Sequence, residues 1–486
     1  MAGIVLTTAV RTGPVTTTTA PTSTLFIAGV TEKGPEGDAK LITSVADYNA
    51  IYGGYTSAGY VHESVQMFFE EGGSRAYVSR VIPSDAVSAS CTVADASAGT
   101  VVTLIASGEG TWPHSGELAV GVIQPTAGST FRLRIFSDGD LVYTTPICTT
   151  KTELVDEINN STVAALYVTA VAGGSSLIPQ VTVSNLNFTG GNNGTTVTDA
   201  DVETALEAFI PTLGPGAIAA PGFYTQTVYE ALIDHAKANN RIALLGFDKD
   251  DTVNDVLSVT SNYEDRDGAE GAAWFYPWVK IPRGNLTISV PCEGYVAAKR
   301  AAVHNKLGSW HAYAGIKSEA RFVSGVQTTI SSTQADALDL VYINPIRIIS
   351  GSVRIYGARS ASTDTLNFRY INSREVLNDI INKAQLGLEA LVFSVIDGRR
   401  SLFGEVAAVL INVLDPISKA GGLFELYNAD GKLLDPGYII QVNDAINPIS
   451  QLATGVVKAK VGARVSSIGD TIEVEITKSN LTSSLG

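Results

Sequence analysis

Cysteine is nearly absent from this chain and nowhere paired. Cys91, Cys148 and Cys292 are odd in number and far apart, and no CxxC occurs. That excludes a zinc knuckle and a disulfide framework, and leaves small buried thiols in a reducing compartment. Charge is scarce too. Charged residues make up 17% of the 486 residues, against roughly a quarter in ordinary soluble chains, so other protein chains are expected to cover much of the surface. Basic charge is the scarcer sign, with 33 Lys and Arg against 48 Asp and Glu and a net charge of −15. An acidic chain without a basic run repels phosphate backbones, which disfavours nucleic acid as a partner. No stretch reaches the ~18 consecutive apolar residues of a membrane helix, and residues 1–20 lack a basic segment followed by an apolar core. Synthesis in the cytoplasm and no direct membrane insertion are the expectations.

Catalytic signatures are missing as well. There is no GxxxxGK[ST] and no GxSxG. Gly108-Glu109-Gly110 lies between β-type segments with no following helix to receive a pyrophosphate, so it reads as a turn. His304 and His311 are seven apart, which is not the i, i+4 spacing of metal ligands on one helix face. Asp248-Lys249-Asp250-Asp251 precedes Thr252 and reads as a solvated loop capping the next helix rather than a cation site. No catalytic, cofactor-binding or metal-binding residue is assigned, and the chain is not expected to be an enzyme.

What is present is a long chain, 45% hydrophobic, with enough apolar residues for several cores. The fold class read from it is mixed α/β and α+β, multidomain. Residues 1–22 form an arm: Gly3 to Val10 is strand-prone and is cut off by Arg11-Thr12-Gly13-Pro14 and a Thr-rich tether. Residues 23–83 open an α/β domain with a strand at Leu25–Gly29 and a helix over Val61–Phe69. Residues 84–197 are rich in Val, Thr and Ser with frequent turn signals, the pattern of an inserted, mostly β domain. Helix–strand alternation resumes over 198–345, where Trp274 and Trp278 share a strand face at even spacing and imply packing. The section 346–468 carries two helices, Ser373–Leu388 and Leu402–Ile417, and two strands, Tyr438–Val442 and Gly455–Val465. A second arm, 469–486, contains Asp470 to Lys478, whose period-2 alternation puts Ile472, Val474 and Ile476 on one face. A strand at a chain end with no local partner must pair with a distant sheet or another chain.

Several segments in order resemble the contractile phage tail sheath family. They are Gly34-Pro35, Ile42-Thr43-Ser44 with Asp47-Tyr48, and Tyr52-Gly53-Gly54. Next comes Phe68-Phe69-Glu70-Glu71-Gly72-Gly73 leading to Ser79-Arg80-Val81. Phe188 to Gly194, Ala219-Ala220-Pro221-Gly222, Ile355-Tyr356-Gly357-Ala358-Arg359 and Phe368-Arg369-Tyr370-Ile371-Asn372-Ser373-Arg374 follow. Two positions depart: Glu375 stands where the family often has a second Arg, and Ala2-Gly3-Ile4 lacks the Pro often seen near the start. The resemblance singles out Phe68, Phe69, Gly72, Gly73, Arg80, Gly357, Arg359, Arg369, Tyr370 and Arg374 as motif residues. It implies a structural subunit of a contractile sheath, stacked as helical, hexameric rings around a tail tube. The sheath shortens to drive the tube through a target envelope. It also implies baseplate and tail terminator proteins as partners, no cofactor, and a place in the virion tail after synthesis in the host cytoplasm. In this family, 84–197 would be the outer domain and 346–468 the tube-proximal domain. Linking strands Ile4, Val5, Leu6, Thr7, Thr8 and Ile472, Glu473, Val474, Glu475, Ile476 would complete sheets of neighbouring subunits. The alternative is another self-assembling virion protein, a tail tube or capsid-like component.

Overall fold

The apolar runs of this chain become strands buried on both faces in its computed structural model, which describes residues 23–125, 130–471 and 474. Strands β1 (Leu25–Gly29), β2 (Lys40–Ile42), β3 (Ala76–Arg80), β4 (Ala217–Ala219), β5 (Ile242–Leu245), β6 (Ala272–Tyr276), β7 (Ile343–Ile349) and β8 (Ser352–Ile355) make one sheet. Its order is β8-β7-β6-β5-β4-β1-β3-β2. The six inner strands are parallel, and the edge strands β2 and β8 are antiparallel to their neighbours. Neighbouring residues enter opposite cores, as period-2 geometry requires. Leu25, Ile27, Val78 and Phe275 pack with helices α1 (Val61–Glu70) and α2 (Glu293–Leu307). Phe26, Tyr77, Leu245 and Trp274 pack with the helices Asp199–Glu207 and Gln226–Ala238.

Between β3 and β4 the chain builds two further antiparallel sheets. One joins Ser90–Ala94, Thr100–Ala106 and Val168–Ala172; the other joins Leu186–Asn187, Leu118–Ile123, Arg132–Ser137 and Asp140–Thr144. They share a core of their own, with Val93, Leu104, Leu118, Ile135 and Phe188 inside. The one long helix there, Lys151–Asn159, starts at a capping box of Thr150 and Glu153.

The described residues fall into two compact units, one of 23–375 with 467–471, the other Val376–Ser466. The sequence pattern had suggested a break at 346. The difference has a plain cause: β7 and β8 belong to the large sheet, β7 pairing with β6 through Trp274↔Ile343. The partner of β7 lies some 70 residues earlier, beyond the reach of a local pattern, and β8 joins the sheet only as the hairpin partner of β7. The single strand expected to carry both tryptophans is also interrupted. β6 ends at Tyr276, the Tyr276–Pro277 peptide is cis, and Val279–Arg283 belongs to another sheet. Pro277 lacks the N–H a continuing strand would need. Both tryptophans are buried, and Trp278 Nε1 donates to the Phe247 carbonyl at 2.7 Å.

In the second unit the helix α4 (Ser401–Lys419) is long and apolar enough to cross a membrane. Its buried residues include Leu402, Val406, Leu410, Val413 and Ile417, the spacing of a helix lying on its unit's core.

Glu71 ties the first unit together. It ends α1, its side chain is sealed from solvent, and it forms an ion pair with Lys299 of α2 at 2.5 Å. The same carboxylate accepts from the backbone N–H groups of Arg321, Phe322 and Val323 at 2.7–3.0 Å. Removing one member of a buried, hydrogen-bonded charge pair leaves the other uncompensated. Glu71→Ala is therefore expected to destabilise the chain by about 3–5 kcal/mol, and Glu71→Ala with Lys299→Met by less, as read by urea denaturation.

Candidate functional site

Sheets with parallel strands usually bind ligands in the crevice beyond the strands' C-terminal ends. Here a cavity lined by Val30, Thr31, Arg80, Val81 and Pro83 opens beyond β1 and β3, whereas past β5 protein fills that position. Glu293, at the start of α2, lies buried just past β5, where a side chain on Gly246 would meet its carboxyl. Tyr224 donates its hydroxyl to Glu293 Oε1 at 3.0 Å. Burial pushes the Glu293 carboxyl up to about 7, the Tyr224 bond opposing that only in part. Among the described residues no group of His, Cys, Asp and Glu forms a metal cluster. His304 is buried, and burial holds its ring well below the usual imidazole range. His311 sits instead beside Lys317, with Lys317 Nζ 3.1 Å from its Nδ1. Asp251 and Asp255 accept backbone N–H bonds from Asp248 and Thr252, the geometry of a capping loop. Gly108 and Gly110 are turn glycines with φ of +109° and +119°.

The motif residues of the first unit gather at three places. The first is the turn after α1. Phe68 is buried and Phe69 packs against the same core. Gly72 has φ +107°, and a Cβ on Gly73 would lie 2.4 Å from the Phe68 ring, so the pair of glycines lets the chain reverse tightly into β3. The second is Arg80 at the end of β3, which donates to the carbonyls of Gly34 and Glu109, each at 2.9 Å. It thereby joins the large sheet's first loop to the inserted segment, and burial pulls its guanidinium down to about 10.

The third lies around Arg359 and Tyr370, which face each other as an isolated bridge. Gly357 leaves room for Asn344, whose side-chain amide donates to the carbonyls of Trp274 and Arg359 while its oxygen accepts from Arg359 N–H. The Arg359 side chain is thus aimed outward, where it grips Asp339 with two bonds of 2.7 and 2.6 Å. Tyr370 Oη donates to Asp470 Oδ2 at 2.6 Å, and that carboxylate also lies 3.5 Å from Arg359 and 3.8 Å from Arg369. The hydroxyl first, then the two guanidiniums, hold the Asp470 carboxyl below its ordinary range. Arg374 reaches Glu270 at 3.4 Å. Asp470 was singled out only as the first residue of an alternating strand; its contacts link positions a hundred residues apart.

Glu375, the departure from the family pattern, is buried and meets Arg300 of α2 in a two-bond pair, both at 2.6 Å. The acid at 375 is matched by a base on another helix, which no local pattern reveals.

In the second unit, β9 (Tyr438–Gln441) and β10 (Lys460–Ala463) form a two-stranded antiparallel ribbon. Ile440, with Val442 and Val457, packs on Leu402, Val406 and Leu410 of α4. Ile439 points away and is 66% exposed. Among the described residues β9 and β10 pair only with each other, apart from the 422–424 segment that meets residues 464–466 beyond β10. Phe424, Leu434 and Phe393 of this unit also stand exposed. The linking residues Ile4, Val5, Leu6, Thr7, Thr8, Ile472, Glu473, Glu475 and Ile476 lie outside the described residues; Val474 is described and exposed.

No protein-family model and no curated protein sequence matches the chain. Solved structures do. The sheath tail protein Lin1278 from Listeria innocua is 13% identical, with a TM-score of 0.62 over 87% of this chain and 89% of that one. A chain of the contracted anti-feeding prophage baseplate is 14% identical, with 0.58 over 98% and 97%. A chain of the contracted PVC sheath, an extracellular contractile injection system, is 16% identical, with 0.56 over 94% and 92%. The fold is that of contractile sheath proteins. This agrees with the mixed α/β, multidomain class read from the sequence, and the likeness covers 87–98% of the chain. Within the sheath fold the motif residues are scaffold: glycines where the chain turns or another side chain crowds in, arginines where loops and crossings are tied.

Two outcomes test the buried acids. Glu293 holds a proton in the folded chain between its ordinary 4.5 and about 7, where the unfolded chain has lost it. Its contribution is therefore present below pH 4.5 and is lost as pH rises through 7; roughly 3 kcal/mol of stability should fade between pH 4 and 8, and Glu293→Gln should abolish that component in denaturation series. For the other pair, Arg300→Glu or Glu375→Arg alone should each cost about 3–5 kcal/mol, with the exchanged double variant recovering part of the loss in Tm.

Proposed function

We propose that this chain is the structural subunit of a contractile tail sheath, polymerising as helical rings around an inner tube and shortening to drive that tube through a target envelope. The observation that carries the reading is the β9–β10 ribbon. Two strands alone are marginal in water, and among the described residues this pair keeps open edges, the 422–424 contact beyond β10 apart, and exposed apolar side chains. The sequence supplies what the ribbon lacks: two strand-prone peptides, residues 3–10 and 470–478, at opposite ends of the chain. Strand addition from other subunits would complete the ribbon by β-augmentation. At about 0.5–1.5 kcal/mol net for each main-chain hydrogen bond, an arm of a few bonds contributes several kcal/mol per link.

In this reading Val376–Ser466 is the tube-proximal part, residues 84–197 face outward, and 1–22 and 469–486 are the linking arms. The Thr-rich tether after residue 14 lets subunits rotate while their strands stay paired, so contraction is a rigid-body change between two packings. Tube, baseplate and tail terminator proteins are the expected partners, with the virion tail as location. The printed descriptions of the similar structures support the reading: a sheath tail protein, a baseplate and a contracted sheath.

Purified full-length protein is expected to form helical cylinders in negative-stain electron microscopy, and deletion of residues 1–20 to abolish them while leaving a folded protein by circular dichroism. Ordered, full-length cylinders from the deletion would rule out the arm model. Ile439→Pro, which removes a donor from the ribbon, is expected to give short or no cylinders in the same images.

A further inference from the structure

Among the described residues the chain crosses between its two compact units after Glu375 and after Ser466. Each crossing lies beside a charged anchor in the larger unit, and the two anchors differ in kind. At the first, Arg300 and Glu375 are 3% and 2% exposed and joined by two bonds. Opening that pair would strand a buried charge. At the second, the last backbone bond of the smaller unit is Ser466 N–H to the Gly422 carbonyl. Ser467, Ile468 and Gly469 follow, and then Asp470 is gripped by Tyr370, Arg359 and Arg369.

This second anchor is built to open. Asp470 is 39% and Arg369 48% exposed, so water screens their attraction. Arg359 keeps its two bonds to Asp339 whether Asp470 is present or absent, and Arg369, half exposed, is left to water, so release strands no buried guanidinium. The strongest contact that must break is one tyrosine hydroxyl bond to an exposed carboxylate.

We propose that Asp470 is a releasable latch that sets where the C-terminal arm leaves its subunit, its partner being a second copy of this chain. The inference rests on the sheath reading for the arm's destination, while the latch rests on the contacts above. Closed, the latch leaves only residues beyond 470 free to reach a neighbour. Open, the free length begins at Ser467, and four added residues extend the reach by about 14 Å. That slack is available when neighbouring subunits change spacing, and the arm's strand can stay paired throughout. Asp470 is a positioning residue in this scheme, and Tyr370 is its main holder.

The test compares wild type with Asp470→Ala, Asp470→Glu and the milder Tyr370→Phe. Amide hydrogen exchange on the unassembled chain should show residues 467–471 exchanging about tenfold faster in Asp470→Ala and Tyr370→Phe, with β7 and β8 unchanged as the control for folding. Asp470→Glu, which keeps the charge, should stay nearer to wild type. Asp470→Ala should still assemble, since the strand after 470 is intact, but its extended cylinders should contract at a lower temperature in electron micrographs. Unchanged exchange at 467–471, or cylinders that contract as wild type does, would overturn the latch. Absence of cylinders from wild type itself would overturn the sheath reading and the arm's destination, while the exchange comparison would still decide whether Asp470 is held.

Discussion

Backbone N–H and C=O groups removed from water must find partners, and the architecture follows from where this chain can and cannot supply them. In the large sheet the supply is complete for the inner strands. Six parallel strands lie between two antiparallel edge strands, each inner strand has neighbours on both sides, and both faces are covered by apolar side chains. In the β9–β10 ribbon it is not: two strands satisfy one edge each, and the side chains around them remain in contact with solvent.

The scarcity of charge takes on meaning at the buried sites. Few ionisable groups are present, and several of the buried ones tie together segments far apart in sequence. Glu71 joins two helices to the 321–323 backbone, Arg80 joins the first loop to the inserted segment, and Arg300 holds Glu375 beside a crossing between units. Such contacts gain strength from the low dielectric around them and demand good geometry in return. The exposed anchor at Asp470 has the opposite character: it is screened, and it is backed by an Arg359–Asp339 pair that persists without it.

Much of the fold was legible in the residues. Helices at 61–70, 151–159, 226–238 and 401–419 follow the 3.6-residue apolar spacing, those at 151 and 226 behind threonine caps, and the buried strands stand out as short apolar runs. The paired glycines after Phe68-Phe69 announced a tight reversal because only glycine tolerates that backbone beside a packed ring. The partners of isolated charges were not legible. Glu375 looked like a loss of positive charge from one helix, yet it is half of a buried pair whose other half lies 75 residues away. The same limit placed β7 and β8 in the wrong domain, since strand pairing is set by distant neighbours and not by the strand's own pattern.

What the sequence determined by itself was local and compositional: strand-prone segments, a mixed α/β body with a β insertion, the absence of catalytic signatures, and a scarcity of charge. Short-range sterics, periodicity and side-chain chemistry suffice for those. Only the tertiary structure decided which sheet each strand joins, which charges neutralise each other, and that the crossing near Ser466 ends on an exposed carboxylate held by Tyr370. Those depend on chain segments tens to hundreds of residues apart arriving at one place, and the free energy of that encounter belongs to the assembled core, not to any window of residues.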